Sequence, residues 1–243
     1  MKTSQLAAFA VAILAVGTLL SPRAYSQSSP SIPVGSLTAF PTVVQTGTKP
    51  TLTWSISYPS QVTTVVTVGP TGTITPLRSL IVELRILGAQ VGNGTDWYVV
   101  EAYRKVENAT SFTRFFTGKQ TSVNTSTIYY TQTVQASRPL DIRGRVASNS
   151  SSNPSSWQAF YSTGVTGNNA RALVNGDTPP SYVPAFSNQA TIKSALSAYI
   201  GSDGKIKIGP MDVIFLFELW GTDTSQGYFD MQDLIVLATF RIP

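Results

Sequence analysis

Short runs rich in Val, Ile, Thr, Tyr and Phe recur along the chain between Gly, Pro and Asn clusters, the pattern of antiparallel β structure. It predicts strands over 36–44, 51–57, 61–68, 80–91, 97–106, 111–116, 127–136, 140–147, 156–162, 205–208, 211–220 and 234–242. Leu80, Val82, Leu84 and Ile86 alternate with Glu83 and Arg85, as a half-buried strand requires. Tyr98, Val100, Ala102 and Val106 share one face and leave Glu101 and Lys105 on the other. Met211, Val213, Phe215, Phe217 and Leu219 form a wholly apolar face, while Ile214 and Leu216 occupy the reverse, so this strand is expected at the centre of a sheet. One segment follows a different period. Ile192, Ala195, Leu196 and Tyr199 fall at i, i+3, i+4 and i+7, predicting one short helix near 188–200, with Ser187 or Asn188 to cap it and Gly201 to end it. The expected class is mainly β, an antiparallel β-sandwich with that single helix.

The amino terminus departs from this pattern. Lys2 precedes an apolar stretch from Leu6 to Leu20, then Pro22 and Ala24-Tyr25-Ser26, which reads as a signal peptide over 1–26. The stretch is shorter than the roughly 20 residues that span a bilayer, and no later segment reads as a membrane helix. Residues 27–33 read as a Ser/Pro linker, and 34–243 as one β-sandwich unit with a candidate sub-boundary near 76–79. Export implies a secreted, periplasmic or extracellular cell-surface location.

Pro41-Thr42-Val43-Val44-Gln45-Thr46-Gly47, followed by Thr51-Leu52-Thr53-Trp54-Ser55-Ile56, resembles the opening strands of bacterial immunoglobulin-like domains. The resemblance implies an immunoglobulin-like or related sandwich in which Trp54 is a structural residue of the core, and it names no ligand. Residues 79–243 depart from that family. They loosely resemble uncharacterised exported bacterial proteins with the ending Phe229-Asp230-Met231-Gln232-Asp233-Leu234-Ile235-Val236-Leu237-Ala238-Thr239-Phe240.

Composition removes much chemistry. The chain has no cysteine and no histidine, which excludes disulfides, thiol nucleophiles and imidazole bases. Charged residues are only 12% of the chain, and Arg104-Lys105 and Arg143/Arg145 alternate on predicted strands without a dense patch, so nucleic acid is not an expected partner. Residues 203–243 carry six acids against three bases, and residues 27–202 carry six acids against twelve bases. That opposition suggests head-to-tail self-association or a cell-surface partner.

Three kinds of site remain open. Trp97 follows a plausible turn, Trp157 follows a Ser/Asn loop, and Tyr129 lies nearby in the β pattern; exposed, such rings could stack on sugars, and buried, they would pack a core. Asp223, Asp230 and Asp233 could hold Ca²⁺, although their spacing departs from the calcium-loop pattern and Asp is equally at home in turns. Glu218 interrupts an apolar run and is expected to be structural, held by an Arg or Lys partner. A carboxylate glycoside hydrolase would draw on Glu83, Glu101 or Glu218, but Arg85 and Lys105 offer the first two ordinary surface pairing. The reading that joins these observations is an exported, non-catalytic structural, adhesive or self-assembling protein with no cofactor. The alternatives are a carbohydrate-binding module using exposed Trp to take a polysaccharide and, third, the hydrolase.

Overall fold

The computed structural model describes residues 34–40, 51–57, 61–106 and 109–243. The expected signal peptide and linker, residues 1–33, lie outside the described residues, as does the Pro41–Gly47 segment. The strands are β1 (Val34–Phe40), β2 (Thr51–Ser57), β3 (Val66–Val68), β4 (Ile74–Pro76), β5 (Leu80–Gly88), β6 (Val100–Val106), β7 (Thr113–Gly118), β8 (Tyr130–Val134), β9 (Leu140–Val146), β10 (Tyr161–Ser162) and β11 (Ala170–Leu173). After a long loop come helix α1 (Ile192–Ala195), β12 (Asp212–Phe217) and β13 (Leu234–Arg241). None of the described helices is long and apolar enough to cross a membrane.

All pairings between named strands are antiparallel, and two sheets build the sandwich. One has the order β3-β4-β9-β6-β7, with β10 also on β9; the other has the order β11-β12-β13-β5-β8. Their inner faces form one core: Ile74, Val100, Ala102, Leu140, Ile142 and Val146 of the first sheet meet Leu80, Val82, Leu84, Val213, Phe215, Leu234, Val236 and Phe240 of the second. Residues 76–79 carry the chain from the first layer to the second. Gly144, on the inner face of β9, leaves space that Leu234 and Leu219 fill; a Cβ there would stand 2.7 Å from Leu234 Cδ2 and 3.1 Å from Leu219 Cδ2. Gly144→Ala is therefore expected to cost about 1–3 kcal/mol by overpacking, read as a lower denaturant midpoint at unchanged slope.

The two-sided apolar pattern of β12 has a direct cause. Val213, Phe215 and Phe217 face the sandwich, while Ile214 and Leu216 join Leu87, Leu173, Ile192, Leu196, Ile206, Ile235 and Leu237 in a second core. The helical segment covers this outer face, making a third layer. It is shorter than the sequence predicts: α1 is a single turn, followed by a 3-10 turn at Ser197–Tyr199. Its cap is Thr191, whose Oγ1 accepts from the Ser194 amide at 3.1 Å, rather than Ser187 or Asn188. The predicted strand over 205–208 is reduced to one bridge between Ile200 and Ile206, and β4 and β11 form outside the predicted strands. Both are short and depend on pairing with β9 and β12.

β1 and β2 pair with each other in a separate two-stranded sheet. The expectation that Trp54 packs in the sandwich core is overturned: it is 71% exposed, opposite Leu37 at 65%. A strand buries a face only where another layer covers it, and among the described residues none covers this hairpin.

Candidate functional site

The end of β12 and the start of β13 place Glu218, Asp230 and Asp233 together, all buried, with a carboxylate oxygen from each lying within 4.8 Å of the others. The backbone holds them there. Glu218 Oε1 accepts from the Trp220 amide at 3.0 Å, and Oε2 accepts from the amides of Asp230 at 2.9 Å and Met231 at 3.4 Å. Asp233 Oδ2 accepts from the Leu219 amide at 2.6 Å. The Gln232 Nε2 donates to Asp230 Oδ2 at 3.0 Å. Met231 adopts φ 61°, a left-handed conformation uncommon for a side chain of its size, at the point where the loop turns its amide onto Glu218.

The partner expected for Glu218 is not the one found. The ion pairs of the described residues engage Glu83, Glu101 and Asp141, and none reaches Glu218. Amides at both ends of the loop replace the Arg or Lys, and Asp233 shares a side-chain hydrogen bond with Glu218. Burial pushes the Glu218 carboxyl up despite those hydrogen bonds. Burial and the Glu218 charge push Asp230 up to about 7, and burial with both neighbouring charges lifts Asp233 well above the usual carboxylate range.

Asp230 and Asp233 open onto a cavity of about 360 Å³, whose aromatic walls are Tyr98, Phe186, Trp220 and Tyr228. The Tyr98 and Trp220 rings lie 5.7 Å apart at 53°. Asn93 and Gln189 add amides to the rim. Gln189 Nε2 donates to the Gln90 carbonyl at 2.9 Å, and the Gln90 Oε1 accepts from the Ala190 amide at 3.0 Å, fastening the 186–190 segment beside β5. Gly94, at φ 88°, lets the 93–96 turn pass under Phe186, where a Cβ would stand 3.0 Å from the ring.

The sequence candidates are dispersed relative to this cavity. Trp97 bridges Gly92 and is half-buried outside it; the neighbouring Tyr98, on the opposite face of an extended chain, lines it instead. Tyr129 packs on the core, edge to face with Phe116 at 5.2 Å. Asp223 is exposed and accepts from Ser225 and Gln226, a local turn apart from the carboxylate cluster. Residues that sequence reasoning passed over are Tyr98, Phe186, Trp220, Tyr228 and Gln232. The one available signal was the position of Trp220 two residues after the anomalous Glu218.

Trp157 belongs to a different construction on the outer face of the first sheet. Arg145 sits over Trp157 at 4.3 Å and Phe160 at 4.8 Å, and Arg143 sits over Phe160 at 3.7 Å and Phe112 at 4.1 Å. Guanidinium groups thus already occupy the Trp157 and Phe160 rings. Beneath them Glu101, 2% exposed, pairs with Arg145 at 2.7 Å and with Arg114, and accepts from the Tyr103 hydroxyl at 2.6 Å. Burial pushes the Glu101 carboxyl up, but the Tyr103, Arg145 and Arg114 hydrogen bonds outweigh it and hold the group below the usual glutamate range. Burial and the Glu101 charge raise Tyr103. Neither Glu101 nor Glu218 lines the cavity.

No protein-family model, no curated protein and no solved structure matches this chain.

Proposed function

We propose that this is an exported, non-catalytic protein that acts as an adhesive or surface component by holding a carbohydrate in the Tyr98–Trp220 cavity. The observation that carries the reading is the convergence of aromatic rings and two carboxylates in one concave site. Aromatic faces suit the C–H faces of a sugar ring, while carboxylate and amide oxygens accept from its hydroxyls. The volume is at the small end of ligand sites, which favours a single sugar or a chain end over the middle of a long polymer. The leader over 1–26 supports export to the periplasm or cell exterior. The chain's lack of His and Cys, with Glu101 occupied by two arginines, favours binding over hydrolysis.

Titration calorimetry against neutral and acidic mono- and oligosaccharides tests this. Trp220→Ala is expected to weaken binding about tenfold or more, tenfold being 1.4 kcal/mol. Trp97→Ala and Trp157→Ala should leave affinity unchanged. Absence of binding across the panel, or equal loss in Trp157→Ala, would remove the reading.

A further inference from the structure

We infer that Glu218, Asp230 and Asp233, with the side-chain amide of Gln232, form a binding site for a hard divalent cation of the Ca²⁺ type beneath the cavity, which Asp230 and Asp233 line. The inference does not depend on which ligand, if any, the cavity takes. Three carboxylates converge within 4.8 Å in a buried setting, and no Lys or Arg of the described residues pairs with them. Like charges so close and so far from water need protons or a cation between them.

Gln232 is the independent observation that points to a ligand. Its side chain is fully buried with its amide head against Asp230, yet Oε1 has no hydrogen-bond partner. Oε1 shares the amide head that Nε2 anchors on Asp230, so it stands beside the cluster as a buried acceptor with no donor, an atom that a positive centre would satisfy. A cation held by this oxygen and the carboxylates satisfies the one and offsets the repulsion of the others together. The donor set is all oxygen in a chain without His or Cys, which selects hard cations over zinc or copper. Mg²⁺ asks for a near-ideal octahedron, whereas Ca²⁺ accepts an irregular mixture of carboxylate, carbonyl and water oxygens. Asp230 and Asp233 reach the cavity, so an ion has a path in and water has room to complete its shell. Backbone amides from Leu219, Trp220, Asp230 and Met231 orient the carboxylates beforehand. Compared with the Asp223, Asp230 and Asp233 set read from sequence, the fold exchanges the exposed Asp223 for Glu218.

The test uses the purified protein with metal alone, so its outcome is separate from sugar binding. Tb³⁺ replaces Ca²⁺, and Trp220, whose amide bonds Glu218, is placed to sensitise its emission. The expected result is saturable Tb³⁺ emission displaced by Ca²⁺, with a melting temperature that Ca²⁺ raises and a chelator returns. Asp230→Asn and Gln232→Leu should both lose this response while keeping the parental far-UV spectrum, and Asp223→Asn should retain it. Gln232→Leu changes no charge and carries the test if Asp230→Asn fails to fold. No saturable emission and no Ca²⁺-linked shift, the behaviour of a cluster that holds protons only, would overturn the inference. So would a response unchanged in Gln232→Leu and Asp230→Asn.

Discussion

Removal of residues 234–243 is expected to abolish folding. Those residues contain β13, which pairs with β12 on one side and with β5 on the other. Its side chains serve both cores: Leu234, Val236, Ala238 and Phe240 enter the sandwich, and Ile235 and Leu237 enter the layer beneath the helix. Burying the five large apolar side chains contributes roughly 8–15 kcal/mol, comparable to the entire stability of an ordinary domain at about 5–15 kcal/mol. The truncation also leaves β5 and β12 with open edges in mid-sheet. Circular dichroism and a denaturant titration check this: the truncated chain should show no cooperative transition, whereas loss of Ile242 and Pro243 alone should preserve one. A cooperative melt without 234–241 would mean that this strand is not central.

Glu101→Gln should be the most costly single substitution on the outer face of the first sheet. It removes the charge that Arg145 and Arg114 share and weakens the acceptor for Tyr103. Breaking a buried pair costs about 3–5 kcal/mol. A value near 3 is expected here, because the side chains of both arginines reach water and can be rehydrated. The pH dependence has a definite sign. The folded carboxyl is held below its unfolded value, which lies near 4.3. Its stabilisation is therefore fully present above about pH 5 and is lost as pH falls through the lowered folded value. Denaturant titrations of parent and Glu101→Gln from neutral to acid pH should show a gap that closes only on the acid side. Taking the difference cancels the opposite trend of the raised carboxyls at Asp230 and Asp233, which favour the fold in acid. A gap independent of pH would mean that the carboxylate charge does not matter to the pairing.

Much of the sandwich is legible in the strand patterns. The faces of β5, β6 and β12 follow from alternation, and Ile214 and Leu216 on the second face of β12 already announce a covering layer. Short strands and the helix are less legible. β4 and β11 exist because β9 and β12 offer them partners, and the helix is a single turn that packs Ile192 on the outer apolar face of the second sheet. The charge asymmetry between residues 27–202 and 203–243 does not become two opposed surfaces. Half of the six C-terminal acids, Glu218, Asp230 and Asp233, are buried, and β12 and β13 lie inside a sheet whose other strands come from the more basic part.

The β class, the apolar faces, the position of one helix and the chemistry that absent His and Cys remove are all written in local periodicity and residue type. Which side chains meet depends instead on how the strands pair and the layers pack. Tyr98, Phe186, Trp220 and Tyr228 come from three separate stretches and converge because the 91–98 turn, the 185–189 loop and the 220–230 loop close over the same end of the sandwich. Glu218 and Asp233 stand fifteen residues apart but meet because antiparallel β12 and β13 bring their ends together, pairing Phe217 with Leu234. Strand register and layer packing act over distances along the chain that no local pattern encodes.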